Sequence, residues 1–200
     1  FALGAPELAA LLCSRVCHDI ISPVGAINNG LELLDEGGAD EDAMRLIRQS
    51  ARNASARLQY MRIAFGAAGS AGMQIDTGAA ETVAAAYFKN EKPELTWQGG
   101  RALLPKNKVK LILNLVLIAG QTIPRGGIIE VSIDGTDNAM TFKVVASGHN
   151  AKLQSHLPHL LACEPENGTV DAHGIQAYYA GLVAREAHLK LTAEVGDGKV

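Results

Sequence analysis

The stretch Cys17-His18-Asp19-Ile20-Ile21-Ser22-Pro23 sets a histidine beside a carboxylate shortly before a proline, inside a run that otherwise has the pattern of one long helix. A proline in a helix interior removes a hydrogen bond and crowds the preceding turn, at a cost of about 3 kcal/mol, so its position asks for a reason. Around it Leu8, Leu12, Val16, Ile20, Val24, Ile27, Leu31 and Leu34 recur at helical spacing and predict a helix over residues 6–36. Gly37-Gly38 ends it. Asp40-Glu41-Asp42 then supplies a cap and first-turn negative charge for a second helix to about residue 65, with Ala43, Ile47, Ala51, Ala54, Leu58, Met61 and Phe65 on one face. Such a hairpin has too little mutual surface to bury both stripes. It is expected to pair with a second copy as a dimeric four-helix bundle.

On the first helix His18 lies nearly opposite the apolar stripe and faces water. Ser22, Gly25 and Asn29 follow on the same line, and their small size lets another protein's backbone approach the ring. Asp19 can take a hydrogen bond from one ring nitrogen and fix which nitrogen is free to attack. A plain solvent histidine beside a plain aspartate has the same local pattern. Pro23 favours a site, because strain of this kind is tolerated where it serves one.

Gly66-Ala67-Ala68-Gly69-Ser70-Ala71-Gly72 marks a boundary between domains 1–66 and 73–200. Beyond it the pattern predicts a helix over 77–89, a strand at 95–97 and a helix from Pro105 to about residue 123. A hairpin of 128–133 with 140–145, a helix over 174–187 and a last strand over 190–195 complete the order. Helices interleaved with a hairpin and late strands imply a mixed sheet covered on one face, an α/β sandwich. The fold class is α+β.

The chain has 200 residues, 48% of them hydrophobic, ample for a core. A net charge of −3 without any basic block excludes a nucleic-acid surface. Cys13, Cys17 and Cys163 are odd in number and lack CxxC spacing, as expected of free thiols in a reducing, cytoplasmic setting. The apolar run 111–120 is too short to span a membrane, and no signal peptide is seen. His156, His159 and Glu164 could begin a metal site, but no Cys or Asp nearby completes the ligands. Arg45, Arg48, Arg52 and Arg62 mark the outer face of the second helix, and His173 and His188 are expected at a helix end and on the surface.

His18-Asp19-Ile20-Ile21-Ser22-Pro23 resembles the phosphoacceptor signature of two-component histidine kinases: His, Glu or Asp, two variable residues, Ser or Thr, then Pro. The continuation through Val24-Gly25-Ala26-Ile27-Asn28-Asn29-Gly30-Leu31-Glu32-Leu33-Leu34 is similar to the alphaproteobacterial histidine phosphotransferases, and the likeness covers nearly the whole chain. Kinases of this family carry Asn-Leu-x-x-Asn-Ala with the second Asn on Mg²⁺. The matching Asn114-Leu115-Val116-Leu117-Ile118-Ala119 has a hydrocarbon there, which cannot ligate a cation that demands oxygen. The adenine-binding Asp-x-Gly-x-Gly is matched by Ala146-Ser147-Gly148-His149-Asn150, and the glycine-rich phosphate turn by His173-Gly174-Ile175-Gln176. The second domain therefore resembles a degenerate ATPase domain.

The resemblance implies a histidine phosphotransferase that relays a phosphoryl group between receiver-domain aspartates through His18, without ATP. His18 and Asp19 are its expected catalytic pair, Pro23 their support, and Ser22, Gly25 and Asn29 the receiver-docking strip. Neither a metal site nor a nucleotide site of its own is expected; Mg²⁺ would come with the receiver. The implied partners are a second copy and the receiver domains of a hybrid histidine kinase and of response regulators, with no nucleic acid and no membrane. An active sensor kinase fragment and a non-catalytic dimeric scaffold are the alternatives.

Overall fold

The computed structural model describes residues 1–37, 40–66, 74–135 and 140–200. Helices α1 (Ala5–Asp35) and α2 (Asp40–Ala64) form the hairpin, within a residue or two of the expected bounds. Pro6 sits in the first turn of α1, where its missing N–H costs nothing, and Gly37 takes a left-handed φ of 73° just past its end. The helix runs through Pro23 unbroken. At Gly30 an added Cβ would meet Ile47 Cγ1 of α2 at 2.6 Å, so the absence of a side chain sets how closely the two helices approach.

The remaining elements are β1 (Gln74–Asp76), α3 (Thr77–Phe88), β2 (Pro93–Gln98), β3 (Leu103–Pro105), α4 (Lys106–Thr122), β4 (Gly127–Asp134), β5 (Thr141–Ser147), α5 (Leu157–Leu161) and α6 (Ile175–Glu186). The sheet has the order β2-β4-β5, with β2 parallel and β5 antiparallel to β4. Leu95 and Trp97 align with Ile129 and Val131, which align with Ala146 and Val144, and this face lies on the helices. The alternate residues Glu94, Thr96 and Ile128 point to solvent, as a sheet covered on one face requires. The short pair β1-β3 forms a separate ribbon that the sequence pattern did not reveal.

The expected last strand over 190–195 does not form. Its place at the edge of β5 is taken by the residues after it: Ala146 and Val200 exchange both backbone hydrogen bonds at 2.8 and 2.9 Å. Residues 67–73, where the boundary was expected, and 136–139, in the hairpin turn, lie outside the described residues.

Helix α4 is buried on nearly all sides and separates two cores. On one side Ile112, Val116 and Leu113 meet the sheet, α3 and the end of α2; on the other Leu111 and Ile118 meet α5 and α6. The hairpin is tied in by Tyr60, whose buried hydroxyl donates to the Leu113 carbonyl at 2.7 Å. Leu8, Leu11 and Leu12 of α1 pack on the α6 side. Among the described residues one helix, α1, is long and apolar enough to span a membrane by length and composition. Its apolar residues divide between the protein's own core and an exposed side. Asp19 and Pro23 are buried inward, while Ile21, Val24 and Leu31 face outward.

Candidate functional site

His18 stands on the outer side of α1 with its side chain 73% exposed, whereas Asp19 beside it is 8% exposed. One oxygen of Asp19, Oδ1, lies 3.3 Å from His18 Nδ1, and the other, Oδ2, accepts from Arg15 Nε at 3.2 Å. A carboxylate can only accept, so in the tautomer that makes this contact a hydrogen bond His18 Nδ1–H donates, and the neutral form of that tautomer has its lone pair on Nε2. Arg15 and Asp19 are one turn apart, the spacing at which opposite charges meet on a helix. The result is a chain of contacts from a half-buried arginine through a buried carboxylate to an exposed imidazole.

Along the strip beyond His18, Ser22 and Asn29 are exposed, and a Cβ built on Gly25 has no atom within 4 Å. The strip is open and low. Pro23 shares the inner face with Asp19 and is buried. The outer arginines Arg45, Arg48, Arg52 and Arg62 of α2 are all exposed, as their spacing indicates.

Two further residues join the site. Arg15 stands four residues before Asp19, a spacing at which the sequence itself marks a basic partner for the carboxylate. His173 had no such signal. It lies in the turn before α6, exposed, and its ring stands edge-on to that of His18 with the centroids 6.4 Å apart. Asp171 Oδ1 accepts from the backbone N–H groups of His173 and Gly174 at 3.0 and 2.7 Å, fixing this turn. His188 takes the left-handed position that ends α6, at φ 55°.

Behind the site Arg57 of α2 stacks over the Tyr87 ring at 5.0 Å, donates to its hydroxyl at 3.3 Å and pairs with Glu91. Burial pushes the Tyr87 phenol up to about 12 against the pull of the Arg57 guanidinium, and the Asp19 charge adds to the rise.

The residues at kinase-like positions are engaged in packing. Asn114 is fully buried and donates to the carbonyls of Ala64 and Lys110 at 3.0 and 2.8 Å. Ile118, 6% exposed, belongs to the core with Leu157, Leu160, Ile175 and Tyr178. Ala146 is buried in β5, and Gln176 accepts from Gln121 at 3.1 Å. His159 Nε2 meets Glu166 Oε1 at 3.2 Å on the surface, a different glutamate from the one its spacing suggested. Among the described residues no cluster of three metal-ligating side chains gathers. Cys163 is buried, while Cys13 and Cys17 are exposed on α1.

Residues 77–199 match the family described as histidine phosphotransferase C-terminal domain. The chain is 60% identical over 190 residues to protein phosphotransferase ChpT of Brucella abortus (strain 2308), a match that spans 95% of this chain and 91% of that one. It also superposes on a solved bacterial phosphotransferase with a TM-score of 0.91 at 55% identity, covering 100% of this chain and 96% of the other. With an exposed histidine on a helical hairpin and this degree of likeness over its whole length, the chain belongs to the histidine phosphotransferase family.

Proposed function

We propose that His18 accepts a phosphoryl group from the aspartate of one receiver domain and passes it to the aspartate of another. The observation that carries this is the exposed imidazole whose Nδ1 is held over the buried Asp19 carboxylate, leaving Nε2 as the nucleophile. In the forward step the Nε2 lone pair forms the N–P bond while the P–O bond to the receiver breaks and its electron pair leaves on the carboxylate. The ring gains positive charge, and Asp19 stabilises it. Transfer of this kind depends on positioning and charge neutralisation, which a receiver with its own Mg²⁺ supplies in part. Ser22, Gly25 and Asn29 form the floor on which the receiver docks.

The chain acts as a homodimer in this reading. Val24 is 42%, Leu31 48% and Leu58 51% exposed on the hairpin, apolar residues that a second hairpin would cover. No ATP enters the cycle; burial of Ile118 among hydrocarbon side chains supports this.

The test is a time course with a labelled, phosphorylated receiver of a hybrid kinase and the full chain. Acid-labile label should reach the wild type and move on to a second receiver, and His18→Gln should take none. Label that persists on His18→Gln would defeat the assignment. Calorimetry with Mg-ATP should show no binding heat; a saturating isotherm would favour a kinase.

A further inference from the structure

We propose that His173 is a second catalytic residue of the relay, donating a ring N–H to an oxygen of the phosphoryl group on His18; the proposal rests on the reading of His18 as phosphoacceptor. A receiver's Mg²⁺ neutralises the group only while that receiver is docked. Between two encounters the dianionic group is left to water and to donors on the carrier, and the first helix offers few of the latter. Arg15 is turned inward to Asp19, and Ser22, Gly25 and Asn29 bring no charge.

His173 is the group placed to fill this need. Its ring centroid is 6.4 Å from that of His18, a gap that a tetrahedral phosphoryl group can bridge. The backbone N–H groups of His173 and Gly174 are both taken by Asp171, so this turn has its ring to offer, not its main chain. Apart from its contact with His18, the ring has no partner among the described residues. It also borders a hollow of about 420 Å³ lined by Ser155, His156, Asn167 and Thr169, so the space beside it is open. The arrangement depends on α1 lying along α6, which gives the kinase-like half a task in a relay that consumes no ATP. In the step itself the P–O bond to the receiver breaks as the N–P bond forms. The His173 proton stays on its nitrogen, shared in a hydrogen bond, and no proton is released.

Two measurements on the full chain test this. Transfer from a phosphorylated receiver should be about 10²-fold slower in His173→Ala, the loss expected for one preorganised donor, while His173→Gln, which keeps an N–H, should recover most of the rate. The phosphorus resonance of chain phosphorylated with phosphoramidate, with no receiver present, should shift between wild type and His173→Ala, which a residue that merely touches the receiver would not cause. A wild-type rate in His173→Ala, an unshifted resonance, or a His173→Gln protein as slow as His173→Ala would each overturn the proposal. Failure of the His18 reading is distinguishable, because then the wild type itself would carry no label on His18.

Discussion

The Nε of Arg15 lies 3.2 Å from Oδ2 of Asp19, and the opposite oxygen of that carboxylate faces the ring of His18. Removing Arg15 from this largely buried pair strands the Asp19 charge, at a cost approaching that of a fully buried pair, about 3–5 kcal/mol. Arg15→Ala should therefore lower the melting temperature by about 10 °C in a chain of this size. The double variant Arg15→Leu/Asp19→Leu should recover much of that stability, since no charge is left buried. It should not recover transfer, which is expected to stay about 10²-fold slow for want of the group that orients His18. Wild-type transfer by the double variant would remove Asp19 from the mechanism.

Two glycines on α1 should respond in opposite ways. Gly25 has open space around it, so Gly25→Ala should stabilise by up to about 1 kcal/mol, and Gly25→Arg should keep the fold while blocking receiver approach. Gly30 abuts Ile47, so Gly30→Ala should cost about 1–3 kcal/mol. Urea midpoints check the stabilities. Wild-type transfer rates in Gly25→Arg would mean that the receiver docks elsewhere, the arginine face of α2 being the next surface to test.

The exposed apolar residues of the hairpin make a third expectation. Leu31→Glu places a charge where the second copy should pack, and light scattering at micromolar concentration should move from dimer mass to monomer mass. A wild-type protein that is already monomeric, with its circular dichroism intact, would exclude the four-helix bundle.

Stability should fall at alkaline pH in a defined window. Burial raises the Tyr87 phenol from its ordinary value of 10.0 to about 12, and burial raises Tyr60 in the same direction. Below about pH 10 both states keep the proton and the full contribution is present. Between pH 10 and 12 the unfolded chain ionises while the folded one does not, so stability is lost as pH rises, by about 3 kcal/mol for Tyr87 alone. Denaturation midpoints measured from pH 8 to 11 should fall above pH 10, and Tyr87→Phe should flatten the fall. A wild-type midpoint level through pH 11 contradicts the burial argument.

The helical hairpin, the exposure of His18 and the open strip through Asn29 could all be read from the sequence, because helix periodicity and capping are local and relate residues three or four apart. Even Arg15 was within reach of that rule. The loss of oxygen at Ile118 was equally plain, since chemistry at one position needs no fold. Long-range pairing was another matter. Residues 190–195 have strand composition but form no strand, because Val200 exchanges the backbone bonds at Ala146 instead, and which segment reaches an edge is settled by competition in three dimensions. The three residues of β1 and of β3 are too short to leave a period. His173 reaches His18 only because Leu8, Leu11 and Leu12 seat α1 on the α6 side of the core. No local pattern encodes that contact: the sequence determined which groups could do the chemistry, and the packing of two distant apolar faces decided which of them meet.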